Sequence, residues 1–407
     1  MAEQALLTSS LDYYKATMSQ AAWLREPAAQ VTFSLHNRGP ERLLDNVDPR
    51  YLTEQLDEAG ANGWQESERQ YLGSLAINGG DPAFHEQYLT YLKDRPLPAV
   101  EVRHDKATDD LAIETTGDWP LVSFWETTVM SAVSELYFKD SLKRHDISLD
   151  AVYREGDRRL SEKIAVLRSH PDIKIADFGT RRRFSLDWHD HVVERLATEC
   201  PDNLVGTSNI GLAHKYNLKP IGTFAHEMPM VYAALADIRG QDVRGSHRRF
   251  LEDWYSQYGT EYSIALTDTF GSDFFFQDFT PEQARAWRGV RQDSGDPFVL
   301  GERLIRFYKQ LGIDPKTKVV VFSDALDFDK IVKLHQRFDR RLAVLDGIGT
   351  NLTNDLGMRA LNQVMKATHV RIPEGQASTV KISDDAGKQT GPPDLVHDYQ
   401  YVHFRAA

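Results

Sequence analysis

From about residue 170 onward, short apolar runs alternate with segments of helical periodicity. The apolar runs lie in "IKIADFG", "NLVGTSN", "KPIGTFAHE", "YSIALTDTF", "RGVRQDSGD", "KVVVFSDALD" and "LAVLDGIGTN". Helical segments such as "SLDWHDHVVERLATE" and "VLGERLIRFYKQLG" separate them. Strands that alternate with helices indicate a parallel sheet, and seven units in succession favour a (β/α) barrel over an open sheet.

The N-terminal part of the chain has a different pattern. "SLDYYKATMSQAAW" predicts a helix with Asp12 as its N-cap, "VTFSLHNR" alternates like a strand, and "PLVSFWETTVMSAVSELYF" predicts a long, largely buried helix. Near the C-terminus, "QVMKATHV" and "STVKISD" predict further strands. We therefore predict an α/β protein with an irregular (β/α) barrel domain over residues 141–359. An α+β N-terminal domain over residues 1–140 is completed by C-terminal strands from residues 360–407.

Composition narrows the class of protein. The chain is 41% hydrophobic and 27% charged, which is typical of a soluble globular protein, and its net charge of -12 argues against a general nucleic-acid binder. The single cysteine, Cys200, cannot form an internal disulfide or a cysteine-based zinc cluster. The N-terminal segment lacks the pattern of a signal peptide, and no apolar run approaches the ~20 residues of a membrane helix. We expect a cytoplasmic protein that binds neither membranes nor nucleic acid.

Polar or small residues follow the apolar run of every predicted barrel strand. Each could merely cap a helix, but in a parallel barrel the C-terminal strand ends build the active site. These residues are Asp177, Thr180, Arg181, Ser208, Thr223, His226, Asp268, Arg291, Asp293, Ser294, Ser323, Asp324, Gly349 and Thr350.

The segment "RQDSGDP" is a candidate site for a sugar or a diphosphate. Asp293 and Asp296 bracket a Ser-Gly turn, and Arg291 precedes it. Carboxylates on a tight turn suit vicinal hydroxyls or a Mg²⁺-bound diphosphate, and an arginine fork suits an anion. The alternative is an exposed Asp-rich turn.

Two further loops have the composition of anion sites. Gly347 and Gly349 precede Thr350, and glycines allow the backbone to approach a phosphate closely. Residues 181–183 are three consecutive arginines, of which we expect one or two to reach the site while the rest lie outside it.

His226 in "KPIGTFAHEMP" has two interpretations when it is considered alone. It is either a hydrogen-bonded core histidine or a chemical group at a strand end. Glu227 beside it would either orient the imidazole or face solvent at a helix start.

Taken together, the motifs resemble those of nicotinate phosphoribosyltransferases, most closely the bacterial type. "DFGTRRRFS", "VGTSN", "GTFAHE", "IALTDTF", "RQDSGDP", "VFSDALD" and "GIGTNLT" follow the order and spacing of that family. The resemblance implies an enzyme of NAD biosynthesis that makes nicotinate mononucleotide and diphosphate from nicotinate and 5-phosphoribosyl 1-diphosphate. It also implies coupling to ATP hydrolysis and a homodimer with shared active sites. Departure of the diphosphate would need Mg²⁺ and arginines.

The resemblance also implies roles for individual residues. His226 matches the histidine that ATP phosphorylates transiently. The other matches are Phe178 and Arg181 at the nicotinate ring, Arg291 and Asp293 at ring and ribose, Gly347, Gly349 and Thr350 at the 5′-phosphate, and Tyr14 and Arg38 offered across the dimer interface. We place Ser208 near the nicotinate carboxylate, and Thr223, Ser294, Ser323 and Asp324 complete the predicted substrate site. Ser10 departs from the family, which usually has an acidic residue there.

Three alternatives remain open at this point. The nicotinamide-using relative shares the motifs but has an acidic residue at the position of Ser208, where it receives the amide. A phosphosugar aldolase or isomerase would need a strand-end lysine or catalytic carboxylate, and these strand ends offer no lysine. A non-catalytic metabolite-binding regulator would need neither His226 nor a complete "RQDSGD" loop.

Overall fold

The computed structural model describes residues 7–93 and 95–405 of the chain. Their strands are β1 (Gln30–Asn37), β2 (Ala76–Ile77), β3 (Asp81–Pro82), β4 (Val100–Asp105), β5 (Asp110–Asp118), β6 (Ile175–Asp177), β7 (Leu204–Thr207), β8 (Ile264–Leu266), β9 (Gly289–Gln292), β10 (Val319–Phe322), β11 (Ala343–Ile348), β12 (Gln363–Ile372) and β13 (Gly375–Ser378).

The α-helices lie between and around these strands. They are α1 (Tyr13–Arg25), α2 (Pro49–Asn62), α3 (Glu66–Ser74), α4 (Glu86–Lys93), α5 (Trp119–Val122), α6 (Trp125–Arg144), α7 (Leu149–Ser169), α8 (Leu186–Glu199), α9 (Ile210–Lys215), α10 (Glu227–Ile238), α11 (Ser246–Tyr258), α12 (Ser272–Asp278), α13 (Pro281–Ala286), α14 (Pro297–Gln310), α15 (Phe328–Phe338), α16 (Thr350–Thr353) and α17 (Pro393–Asp398). No helix among the described residues is long and apolar enough to cross a membrane.

A five-stranded antiparallel sheet forms the N-terminal part, in the order β13–β12–β1–β5–β4. β1 alternates in burial, with Val31, Phe33 and Leu35 in the core, because successive side chains of a strand point to opposite faces. β12 pairs with β1 from Gln30↔Arg371 to Asn37↔Gln363. The prediction that C-terminal strands complete this sheet is confirmed for β12 and β13. The predicted strand "STVKISD" is wrong beyond Ser378, because the following residues make only a single bridge, Lys381↔Thr390.

A six-stranded parallel sheet forms the second part, in the order β7–β6–β11–β10–β9–β8. Its strands read as short, continuous apolar runs, as expected where helices cover a parallel sheet. Six of the seven predicted barrel strands are present. Because all six run in the same direction, their C-terminal ends meet at one edge.

The remaining predicted strand, residues 219–223 and third in chain order, is irregular, and that prediction is wrong. It makes a single bridge, Thr207↔Pro220, to β7, while the Thr223 hydroxyl donates to the Ile264 carbonyl of β8 at 3.2 Å. Pro220 has no N–H to extend a ladder. The segment therefore spans the gap between the two sheet edges and makes the barrel irregular.

The start of α1 explains the course of this segment. Gly222 has φ +152°, and a Cβ there would lie 3.1 Å from the Tyr14 backbone nitrogen. Glycine permits both the backbone angle and the close approach. The N-terminal helix thus packs directly on the barrel mouth.

After β13 the chain crosses to the helices of the barrel. Residues 380–404 form a second apolar cluster with α10 and α12, in which the Phe404 ring stacks on Phe270 with centroids 3.8 Å apart. This crossing carries residues 381–388 over the C-terminal strand ends.

Candidate active site

His226 lies immediately before α10 and is 3% exposed. Its Nδ1 is 2.9 Å from the Thr269 hydroxyl, and its Nε2 is 3.0 Å from an Asp293 carboxylate oxygen. Burial and the nearby charge of Lys381 lower the pKa of His226 to about 4, although Asp268 and Asp293 oppose the shift. The imidazole is therefore neutral near pH 7.

Asp293 connects His226 to the end of β9. Its second oxygen accepts a hydrogen bond from Ser323 at 2.9 Å, and Arg291 lies 3.9 Å away. Burial opposes ionisation, but Arg291 and His226 outweigh it and hold the pKa of Asp293 well below its usual range. Asp296, by contrast, caps α14 by accepting two backbone N–H groups. The two carboxylates of "RQDSGD" thus have separate roles, one in the site and one as a helix cap.

Asp268 is a fully buried carboxylate beside the imidazole, 3.9 Å from His226 Nε2. It accepts a hydrogen bond from Ser294 at 2.6 Å and an ion pair from Lys381 at 3.3 Å. Burial raises its pKa, but Lys381 and His226 together lower it by more, so the net shift is downward.

Residues 381–388 bring two lysines that sequence reasoning missed. Besides Lys381, Lys388 contacts Asp324 and Asp385, each at 2.8 Å. Burial raises the pKa of Asp324 although Lys388 opposes it, and the negative charges of Asp293 and Asp385 add to the rise. Lysines among carboxylates in "KISDDAGK" are the only local signal, and local sequence does not show which surface such a segment covers.

The three consecutive arginines diverge. Arg181 lies 3.6 Å from Asp12 and 3.7 Å from Glu126, and its guanidinium is 5.9 Å from the Tyr14 ring centroid. Arg183 turns the other way: it is 2% exposed, pairs with Glu135 at 2.8 Å and donates to backbone and hydroxyl oxygens of residues 9–10. Arg183 therefore ties the chain together and does not face the site.

Arg182 lies between these two extremes. It donates to the backbone oxygen of Gln363, and burial together with the charges of Arg181 and Arg38 lowers its pKa to about 10. Arg38 itself is exposed. The charges of Arg181 and Arg38 thus act on Arg182 within one chain.

Phe178 packs against two glycines, Gly347 in β11 and Gly349 just after it. A Cβ on Gly347 would lie 2.3 Å from the Phe178 ring, and one on Gly349 would lie 3.2 Å from the Phe178 carbonyl oxygen. The absence of a side chain at Gly347 thus makes room for an aromatic ring. Thr350 begins the short helix α16 and is half-buried.

The hydroxyls of Ser208 and Thr223 are both engaged within the protein. Ser208 is 2% exposed and donates to Asp12 at 2.6 Å, and Thr223 donates to the backbone of β8. Asp12 precedes α1 as predicted, but its side chain makes no capping hydrogen bond. Its carboxylate lies between Ser208 and Arg181 instead.

Tyr14 reaches the site of its own chain. It is 5% exposed, and its hydroxyl has no hydrogen-bond partner among the described residues. Arg291 Nε and Asp268 Oδ1 are likewise buried and without a partner there. Because buried polar atoms are normally paired, a polar ligand that reached these three atoms would satisfy them.

Glu227 corrects both sequence-based interpretations. It is 4% exposed, so it does not face solvent, and its carboxylate accepts from Trp119 at 2.7 Å and Lys15 at 2.5 Å rather than contacting His226. The residue belongs to a buried charge cluster below the imidazole.

One cluster of two aspartates and a histidine has the spacing of a metal site, but it lies at the N-terminal end of the barrel strands, away from His226. Asp172, His335 and Asp339 approach one another, but Asp172 precedes β6 and so lies at its N-terminal end. At the C-terminal ends, Asp324 and Asp385 both contact Lys388, each at 2.8 Å.

These features define an α/β enzyme with an irregular barrel, whose strand ends hold a neutral histidine among carboxylates, arginines and lysines. Residues 173–402 match the sequence model of the nicotinate phosphoribosyltransferase (NAPRTase) family, and residues 10–134 match that of its N-terminal domain. The chain therefore belongs to the nicotinate phosphoribosyltransferase family.

Solved structures agree with this assignment over nearly the full length. The chain resembles a nicotinate phosphoribosyltransferase from Porphyromonas gingivalis at 29% identity, covering 97% of this chain and 98% of that one with a TM-score of 0.87. It also resembles one from Vibrio cholerae at 32% identity, covering 97% of this chain and 92% of that one with a TM-score of 0.84.

Proposed function

We propose that the protein makes nicotinate mononucleotide and diphosphate from nicotinate and 5-phosphoribosyl 1-diphosphate, in NAD biosynthesis, with ATP hydrolysis coupled through a phosphohistidine at His226. The observation that carries the proposal is His226 itself, a buried, neutral imidazole held between Thr269 and Asp293. Family membership and the arginines and lysines around the strand ends support it.

Transfer of the phosphoribosyl group needs positioning more than acid–base chemistry. The pyridine nitrogen attacks the anomeric carbon with its own lone pair as the bond to diphosphate breaks, so no general base is required. Tyr14 and Phe178 offer aromatic surfaces for the ring. Arg181 suits the nicotinate carboxylate, because its contacts with Asp12 and Glu126 are longer than the 2.7–2.9 Å that charge-assisted hydrogen bonds typically have.

The phosphoryl step would use the imidazole as a nucleophile. With the ring proton on Nε2, donated to the ionised Asp293 carboxylate, the nucleophile is the Nδ1 lone pair, and it attacks the γ-phosphorus of ATP once the Thr269 hydroxyl has turned away. The bond from that phosphorus to the β–γ bridging oxygen breaks, ADP leaves with the electron pair, and the Nε2 proton stays on the ring. Arg291 and Lys381 stand nearby to compensate the added negative charge.

A hard cation fits the carboxylates at the mouth. Burial and the charges of Asp293 and Asp385 raise the pKa of Asp324. The negative charge of these carboxylates is thus only partly neutralised by nearby cations, and carboxylate oxygens are the ligands that a hard cation prefers. Asp324 and Asp385 are the residues that would hold Mg²⁺, next to Lys388. The ion would supply charge neutralisation for the diphosphate groups.

The phosphohistidine is tested by labelling with γ-³²P ATP. We expect one acid-labile, base-stable phosphate per subunit, lost in His226→Asn, with slow ATP-independent synthesis of nicotinate mononucleotide retained. His247→Asn is the matched control, because His247 is also buried and paired with an aspartate, Asp278, but lies outside the site. Label that persists in His226→Asn, or ATP stimulation that survives it, would overturn the assignment.

The choice of substrate is tested by product analysis with nicotinate or nicotinamide, with and without ATP. Formation of nicotinamide mononucleotide alone would favour the nicotinamide-using alternative.

A homodimer with shared sites is also part of the proposal, and one chain already places Tyr14 beside its own Arg181. Mixing Tyr14→Ala with Arg291→Ala protein tests sharing, since hybrid dimers would regain partial activity only if the two residues serve one site from different subunits. No recovery after verified subunit exchange would argue that each chain builds its own site.

A further inference from the structure

A fully buried lysine lies beneath the ring-binding part of the site. Lys15, on α1, has 0% side-chain exposure, and its ammonium is 2.6 Å from Glu126 on α6 and 2.5 Å from Glu227 on α10. It also donates to Ser123 at 3.3 Å. One ammonium therefore joins three helices that carry or adjoin Tyr14, Arg181 and His226.

Glu126 is shared among three cations at different distances. Lys15 is at 2.6 Å, Lys366 at 3.4 Å and Arg181 at 3.7 Å. Burial opposes ionisation of Glu126, yet these cations, Lys15 foremost, hold its pKa far below the usual range. Glu126 is thus an anion whose principal partner is Lys15, and Arg181 is only a distant neighbour.

Arg181 is the most exposed member of this group and the freest to move. Its side chain is 34% exposed, whereas those of Lys366, Glu126 and Lys15 are 15%, 2% and 0% exposed. A buried carboxylate that loses its closest cation recruits others, because an uncompensated buried charge is strongly unfavourable. Without Lys15, the Arg181 guanidinium would join Lys366 on Glu126.

We propose that Lys15 is a positioning residue that, by engaging Glu126 and Glu227, keeps Arg181 from being neutralised and leaves its guanidinium free for the carboxylate of an aromatic substrate. The inference rests on the proposed role of Arg181 as the partner of that carboxylate. Lys15 touches no substrate and acts on Arg181 through their shared partner Glu126.

The test measures nicotinate binding to the full-length protein by calorimetry, with neutral nicotinamide as the second probe. In Lys15→Met we expect nicotinate to bind about tenfold more weakly or worse, as for the loss of a hydrogen-bonded charge pair, with nicotinamide changed less than about threefold. Adding Glu126→Gln removes the competing anion and should return nicotinate affinity to within about threefold of the wild type.

The matched control is Lys139→Met, because Lys139 is an exposed lysine that lies over the Tyr51 ring at 5.2 Å. Its nicotinate affinity should not change. Circular dichroism checks folding, and if Lys15→Met does not fold, Lys15→Met/Glu227→Gln removes one charge of each sign and should show the same loss.

Three outcomes would overturn the inference: unchanged nicotinate affinity in a folded Lys15→Met variant, no recovery with Glu126→Gln, or an equal loss for nicotinamide. Arg181→Ala separates this from the proposed function. If Arg181→Ala leaves nicotinate binding intact, the proposed role of Arg181 is wrong. If it weakens binding while Lys15→Met does not, only the role of Lys15 is wrong.

Discussion

Asp346 is a buried carboxyl group that plays no part in the proposed chemistry. It lies on β11, is 1% exposed, and its Oδ1 has no hydrogen-bond partner among the described residues. Burial raises its pKa well above the ordinary value. The folded protein therefore binds this proton more tightly than the unfolded chain does.

The sign of the pH dependence follows from that difference. The stability that Asp346 contributes as a neutral acid is full below its unfolded pKa and is lost as the pH rises toward its folded pKa. Over that window the loss is about 1.4 kcal/mol per pH unit. Asp346→Asn keeps the size and removes the titration, so the variant should gain stability relative to the wild type by that slope.

The measurement is the free energy of unfolding from urea titrations at pH 5, 6, 7 and 8. We expect the difference between variant and wild type to grow with pH by up to about 1.4 kcal/mol per pH unit. Asp202→Asn, at an exposed turn residue, is the control and should show no such trend. Parallel curves for Asp346→Asn and wild type would mean that the carboxyl is hydrated or paired, and the reasoning from burial would be wrong.

Other predictions concern the site. Ser208→Asp places a second carboxylate beside Asp12 and should weaken nicotinate binding, measured by calorimetry, by on the order of a few kcal/mol. Unchanged binding would mean that Ser208 does not lie near the nicotinate carboxylate. Gly347→Ala should displace the Phe178 ring and lower the free energy of unfolding by about 1–3 kcal/mol, measured by urea titration. Unchanged stability would contradict this prediction. Because the pKa of His226 is lowered to about 4, its phosphorylation by ATP should stay constant from pH 8 to 6, and a loss centred near pH 6.5 would contradict this.

The sequence by itself determined the order of strands and helices and the polar character of the strand ends. Short apolar runs between helical segments are local patterns, and six of seven such runs are strands of the parallel sheet. The order and spacing of the motifs indicated the family, because each motif places particular side chains just after a strand. Even in the wrongly predicted strand at residues 219–223, Pro220 and Gly222 are local residues that disfavour a regular strand.

Only the tertiary structure decided which charges meet. Asp293 and Asp296 are equivalent in a local view, yet one faces His226 and the other caps a helix. Lys15 and Glu227 are 212 residues apart, and nothing near either of them indicates the other. Local sequence sets periodicity and turn chemistry, whereas burial and ion pairing depend on which distant segments pack together. Lys15 is an example: only the packing of α1 against α6 and α10 makes it a buried cation beside the candidate active site.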